Sequence, residues 1–144
     1  MRYSIYEGEK DTVTIEEEVE YLKNYIELHK MRYRKEIDIK FINDISKNHK
    51  VMPLLFIILL ENAFKHGVEN LRENACVHIQ MTAKNNEVSF DIENNFDATQ
   101  DNEQVGIGLK NLKRRLELVY PKSHTLSFSK INDIYKAQLT ITGL

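Results

Sequence analysis

Val51-Met52-Pro53-Leu54-Leu55-Phe56-Ile57-Ile58-Leu59-Leu60 runs directly into Glu61-Asn62-Ala63-Phe64-Lys65-His66-Gly67. The first ten residues are almost wholly apolar, which is too short for a bilayer span and suits a buried helix. Pro53 fits the first turn of a helix, where a missing amide costs nothing. The pattern predicts a helix over 54–66, apolar on nearly every face and therefore central, with Gly67 as its terminator. On that helix Asn62, Lys65 and His66 stand at i, i+3 and i+4 and share one face. Asn62 offers a hard oxygen to a hydrated magnesium ion, and Lys65 and His66 offer donors to a phosphate chain. The same trio also fits a solvated helix end, with Lys65 and His66 near the negative pole of the helix dipole.

Working outward, Thr14-Ile15-Glu16-Glu17 is a capping-box pattern. Ile15, Val19, Leu22, Ile26 and Met31 follow at three- to five-residue spacing and predict a helix over 15–33. Ile37, Ile39 and Phe41 alternate with charged residues, the period of a half-buried strand. On the other side Val77, Ile79 and Met81 alternate as a second strand. Asn85-Asn86 marks a tight turn, and Val88, Phe90 and Ile92 form a third strand. Residues 96–105 are polar and aperiodic, a loop. Leu109, Leu112, Leu116 and Val119 mark a helix closed by Tyr120-Pro121. Leu126 and Phe128 open a fourth strand, and Tyr135, Ala137, Leu139 and Ile141 a fifth. Adjacent strand pairs with helices between them predict an α+β sandwich, with helices on one face of a mixed, mostly antiparallel sheet.

The chain has 144 residues, 42% apolar and 29% charged, with a net charge of -2. That suits one soluble domain able to bury a sizeable core without a disulfide or structural metal. Nucleic-acid binding would need a clustered basic face; the basic cluster Lys113-Arg114-Arg115 is short and lies within a helical pattern. The single cysteine, Cys76, excludes a disulfide framework and points to a reducing compartment. No secretory signal opens the sequence.

A second departure from core and solvated surface is Gly106-Ile107-Gly108-Leu109-Lys110-Asn111, between the polar loop and a helix. Glycines there let backbone amides approach a phosphate at a helix N-terminus, although a flexible loop entering a helix reads the same way.

In this order the two segments resemble the N box (Glu61-Asn62-Ala63-x-Lys65-His66-Gly67) and the G2 box (Gly106 to Asn111) of the GHKL ATPases. More closely, the chain resembles the LytS-like sensor histidine kinases. Arg2-Tyr3-Ser4-Ile5-Tyr6 is similar to the stretch after their phosphoacceptor helix. Val13-Thr14-Ile15-Glu16-Glu17-Glu18 with Tyr21-Leu22-x-Asn24-Tyr25-Ile26 is similar to their linker helix. Gly108-Leu109-Lys110-Asn111-Leu112-x-x-Arg115-Leu116-Glu117-Leu118-x-Tyr120 is similar to their G2-to-helix segment. The resemblance implies a Bergerat-type ATP-binding fold at 35–144, preceded at 1–34 by the end of the dimerisation segment and the linker helix. It implies ATP held with Mg2+: Asn62 as the magnesium ligand, Lys65 and His66 on the phosphates, and the amides of Gly106, Ile107, Gly108 and Leu109, with Asn111, around the phosphate tail. Glu61 would orient water or metal. Residues 96–105 would form part of a lid.

Three departures bear on nucleotide affinity and specificity more than on fold. Where the family's G1 box, Asp-x-Gly-x-Gly, belongs, this chain has Asn94-Asn95-Phe96-Asp97-Ala98. Asn94 would accept the adenine amino group without a charge, weakening that bond by about 1 kcal/mol or more. Phe96 and Ala98 in place of the glycines would narrow the adenine pocket, or Phe96 would pack on the base. Asn132-Asp133-Ile134-Tyr135 replaces a glycine-rich G3 box, and Ile58 stands where some relatives carry a polar residue. None of the five histidines, His29, His49, His66, His78 and His124, has the phosphoacceptor context. The expectation is therefore a domain that binds ATP and acts on a histidine upstream of Met1, in a membrane-anchored sensor whose response regulator takes the phosphate. A scaffolding module with a degraded adenine site, and a stand-alone ATPase or serine kinase of the anti-sigma type, are the alternatives.

Overall fold

Thr14 starts the first helix as its sequence predicts: its Oγ1 accepts from Glu17 N at 3.2 Å, and Glu17 Oε1 accepts from Thr14 N at 3.3 Å, satisfying amides that have no helical partner. The structure, a computed structural model, describes residues 12–33, 36–69, 71, 73–97 and 106–144. The resemblance drawn from Arg2 to Tyr6, and residues 98–105 of the expected lid, lie outside those residues.

Helix α1 spans Ile15–Arg32, one residue short of the expected end. Ile15, Val19, Leu22 and Ile26 are buried. Met31, read as a fifth member of this stripe, is 83% exposed. The physical reason is spacing: the next core-facing place after Ile26 is i+3, which is His29, and i+5 has rotated away. Just before α1, strand β1 (Val13–Thr14) pairs antiparallel with β3 (Lys50–Val51) in a small ribbon that the sequence reading missed.

The main sheet contains β2 (Ile37–Ile45), β4 (Ala75–Lys84), β5 (Glu87–Asn95), β6 (His124–Ile131) and β7 (Ile134–Thr142), in the order β2-β4-β5-β7-β6. Asn85-Asn86 closes the β4–β5 hairpin as expected. Asn132-Asp133, at the place of the missing G3 glycines, closes β6–β7 with Asn132 in the left-handed region at φ 57°, which asparagine tolerates. These pairs are antiparallel because their turns are short; β2 and β4 are parallel because a helix crosses between them. Alternate residues of β4 (Val77, Ile79, Met81), β5 (Val88, Phe90, Ile92) and β7 (Ala137, Leu139, Ile141) face the core under the helices. The opposite face carries polar residues such as His78, whose Nε2 lies 3.2 Å from Asp38 Oδ2. The α+β sandwich with a mixed, mostly antiparallel sheet is the architecture expected.

The central helix differs in its ends. Helix α2 spans Phe56–Ala63, not 54–66. Pro53 is buried and precedes the helix in a turn, because Leu54 adopts φ 64°, a left-handed geometry no helix accommodates. At the other end the backbone widens into a π-helical turn, Phe64–Val68. Gly67 lies inside that turn and terminates nothing. Helix α3, Ile107–Val119, buries Leu109, Leu112 and Leu116, while Val119 in its last turn is half exposed.

Candidate functional site

Burial along Glu61 to Glu69 has a period near four. Ala63, Phe64, Gly67 and Val68 face the core, while Glu61, Asn62, Lys65, His66 and Glu69 face outward. The widened turn keeps Asn62, Lys65 and His66 on one open face, as their spacing predicted. Asn62 is half-buried, and among the described residues its carboxamide takes part in no hydrogen bond.

Gly67 occupies the place it does because of Asn94. A Cβ there would meet Asn94 Nδ2 at 2.4 Å and the Asn95 carbonyl oxygen at 2.7 Å. Absence of a side chain therefore lets the end of α2 press onto the end of β5, a close approach only glycine allows. Asn94 is 2% exposed, and its Nδ2 donates to the Asn95 carbonyl at 2.9 Å. Its Oδ1 accepts no hydrogen bond from a described residue. Asn95 has a different task. Its Oδ1 accepts from Cys76 N at 2.9 Å and its Nδ2 donates to the Asn74 carbonyl at 2.6 Å, stitching β5 to the start of β4. Phe96 continues the inward parity of Asn94. Its amide donates to the Asp133 carbonyl at 2.9 Å and its ring lies 5.7 Å from Lys130 Nζ.

The glycine turn meets the same helix from the other side. A Cβ on Gly108 would lie 3.6 Å from Ile58 Cγ2, so the start of α3 packs on α2 one turn before Asn62. Gly106 is the residue before α3, in extended conformation (φ −70°, ψ 164°), with no side chain capping the helix. The amides of Ile107, Gly108 and Leu109 thus open the helix at its positive pole. Leu109's side chain is in the core, so only its amide is offered; Ile107 is 78% exposed, and Gly108 and Asn111 are exposed.

Glu61 faces α1 rather than the glycine turn. Its charge lies close enough to Tyr21 and Tyr25 to add to the burial that raises both phenols, while the protein packed about its own carboxyl raises Glu61 although it reaches solvent. The π turn has its own aromatic partners on α1. Phe64 meets Tyr25 edge-on with centroids 5.5 Å apart, and His29 stacks on Tyr25 at 4.0 Å.

A family model described as histidine kinase matches residues 1–37. The sensor histidine kinase/phosphatase LytS of Staphylococcus aureus is 27% identical over 142 residues, 88% of this chain and 24% of that protein. Sensor protein LytS of Staphylococcus haemolyticus is 26% identical over 141 residues, with the same two coverages of 88% and 24%. Among solved structures, the catalytic domain of histidine kinase ThkA superposes with TM-score 0.61 at 13% identity, covering 93% of this chain and 97% of that one. The cytoplasmic segment of histidine kinase QseC gives 0.60 at 16% identity, covering 96% and 83%. The chain is similar to the LytS sensor histidine kinases over most of its length. It spans about a quarter of the length of the LytS relatives it matches, and its fold is that of histidine kinase catalytic domains. In this LytS-like chain α2 touches both other parts of the expected site, Asn94 beyond its end and Gly108 near its start, with Asn62 between the two contacts. No described helix is long and apolar enough to cross a membrane.

Sequence reading passed over two residues that hold this arrangement. Glu18 is buried and its Oε1 accepts from Leu54 N at 3.1 Å; Tyr120 Oη accepts from Met52 N at 2.9 Å. The signal for Glu18 was present. It stands three after Ile15 and four before Leu22, on the apolar stripe, where a solvated carboxylate does not belong.

Proposed function

We propose that the domain binds ATP with Mg2+ between the open face of α2 and the first turn of α3, for phosphoryl transfer to a histidine on the phosphoacceptor helix of the same receptor dimer. The observation that carries this is the double contact of α2, with Gly67 on Asn94 and Ile58 on Gly108, bracketing Asn62. Asn62 fits a magnesium ion that keeps most of its water and phosphate ligands, since a single neutral oxygen suffices there. When bound, the ion neutralises charge on the β- and γ-phosphates. Lys65 and His66 face the phosphates, and the amides of Gly106, Ile107, Gly108 and Leu109, with Asn111, receive the phosphate tail. Asn94 Oδ1 takes the adenine amino group as a neutral acceptor. Glu61, placed toward α1, is positioned to take a proton or orient water where the acceptor segment approaches. In the transfer the bond from the γ-phosphorus to the β,γ-bridging oxygen breaks, ADP leaves, and the γ-phosphoryl joins a ring nitrogen of the acceptor, which gives up its proton. Positioning and charge stabilisation supply the rate. A response regulator then takes the phosphoryl group. The domain works in the cytoplasm, where ATP is available, on a sensor anchored in the membrane by segments outside this chain.

Titration with a fluorescent ATP analogue in the presence of Mg2+ tests the binding step. Saturable binding that is lost in Asn62→Ala is expected. A folded chain that binds no nucleotide at millimolar concentration would instead be a scaffolding module. A longer chain carrying the upstream helix, incubated with ATP labelled at the γ-phosphate, should gain acid-labile label on histidine. Label on serine would mark a serine kinase and overturn the reading.

A further inference from the structure

Glu16, Glu17 and Glu18 open α1, and the structure gives them separate work. Glu16 is exposed and Glu17 closes the capping box. Glu18 is 2% exposed, a position a carboxylate occupies only with donors to satisfy it. One donor is Leu54 N, 3.1 Å from its Oε1. Leu54 is the residue held at φ 64°, a left-handed conformation unfavourable for a non-glycine residue that persists where its surroundings fix it. It also lies in the turn from which α2 departs.

The same turn is held from the far side. Met52 N donates to Tyr120 Oη at 2.9 Å, immediately after the last residue of α3. Around it Ile15 N donates to the His49 carbonyl at 2.9 Å, Glu16 N to Asn48 Oδ1 at 3.0 Å, and Val13 pairs with Val51. The start of α1, the departure of α2 and the end of α3 therefore meet in one hydrogen-bonded joint. Both helices that flank the proposed nucleotide site are tied there, α2 at its beginning and α3 at its end. Asn62 lies roughly 10 Å from the joint along α2, and the Gly106 turn roughly 18 Å along α3, at about 1.5 Å per helical residue. A tilt of about 5° swings those tips by roughly 1 Å or more, a displacement able to cost about 100-fold in a positioned reaction.

We propose that Glu18 is a positioning residue: through the Leu54 amide, and in concert with Tyr120 on the Met52 amide, it sets the separation between Asn62 and the amides of Gly106 to Leu109. This rests on nucleotide binding between α2 and α3. It follows that a shift of α1 against the sheet reaches both halves of the site through one joint.

Glu18→Gln keeps an oxygen where the Leu54 amide needs it; Glu18→Ala removes it; Tyr120→Phe removes the other acceptor. Each variant is titrated with the fluorescent ATP analogue and Mg2+ at a temperature where circular dichroism shows it fully folded. Glu18→Ala and Tyr120→Phe should each weaken binding by about tenfold, and the double variant by less than the product of the two, as members of one network do. Glu18→Gln should bind within about threefold of the parent. A second readout needs no nucleotide. Spin labels at Lys65→Cys and Asn111→Cys, in a Cys76→Ser background, report the separation of the two helices. That distance should shift or broaden in Glu18→Ala and stay unchanged in Glu18→Gln. Parent-like affinity and distance in Glu18→Ala overturn the proposal, as does a Glu18→Gln variant as impaired as Glu18→Ala. If Glu18→Ala does not fold, Tyr120→Phe carries the same test. A parent chain that binds no nucleotide overturns the proposed function, and the spin-label distance then decides the role of Glu18 by itself.

Discussion

Gly67 is required by what stands opposite it rather than by its own backbone. A methyl group would sit 2.4 Å from Asn94 Nδ2 and 2.7 Å from the Asn95 carbonyl oxygen, and the second of these is main chain that cannot swing aside. Gly67→Ala should therefore push α2 off β5 and destabilise the fold by about 1–3 kcal/mol, seen as a lower urea midpoint. Because Asn94 moves with it, nucleotide affinity should fall too, even where the variant is folded. An unchanged midpoint would mean that the two elements are not pressed together as described. Sequence alone showed which residues share the open face, because helical spacing fixes that locally: Asn62, Lys65 and His66 needed only their own numbering. It could not show the task of Gly67, because the partner, Asn94, comes from a strand on a later part of the chain. Glycine after an apolar helix reads as a terminator, and nothing within the segment contradicts that. Glu18 is the opposite case, legible from the stripe it interrupts and passed over because three consecutive glutamates suggest a solvated helix start.

At the scale of elements, every main strand and helix was readable from its period, and the errors fall where tertiary contacts overrule local preference. Pro53 suits a first helical turn, yet Leu54 is drawn into the left-handed region where Glu18 and Tyr120 hold the backbone amides on either side of Pro53. The π turn that follows α2 has no period of its own to announce it; it is seated by Phe64 against Tyr25 and His29. His29 gives that contact a pH dependence. Burial, with the nearby Arg32 charge, lowers its pKa, and Glu69 opposes this weakly. The neutral ring is thus the form the fold prefers. For a base whose folded pKa lies below the unfolded value of about 6.5, stability is full above that value and declines as pH falls through the interval beneath it. Its Nδ1 is buried without a hydrogen-bond partner among the described residues, so a second proton there finds no acceptor among them. His29→Phe keeps the stack on Tyr25 and removes the titration. Thermal melts from pH 8 to 5 should show the variant gaining on the parent as pH drops through the histidine range. Parallel curves would remove His29 from the account.

Across the described residues, the main sheet and three helices form one core: Ile15, Leu22, Leu60, Phe64, Val77, Phe90, Leu112 and Leu139 are all buried within it. The α+β class was legible from the order of elements. The strand order β2-β4-β5-β7-β6 was not, because alternation says which face a residue takes and not which neighbour a strand takes. A single core has a thermodynamic consequence for the nucleotide. A ligand held by α2, α3 and the end of β5 binds only the folded chain, so its binding free energy adds to the stability of the whole domain. At a Mg-ATP concentration of 100 times the dissociation constant the gain is about 2.7 kcal/mol, which for a domain of this size raises the melting midpoint by roughly 5–10 °C. The rise should disappear with EDTA, since the proposed site holds the phosphate end through Mg2+, and should shrink in Asn62→Ala at the same nucleotide concentration. It should fall less in Asn94→Ala, because a neutral acceptor for the adenine contributes less than the charged phosphate end does. A chain that melts cooperatively and shows no shift at several millimolar Mg-ATP has no nucleotide site between these helices, whatever its fold.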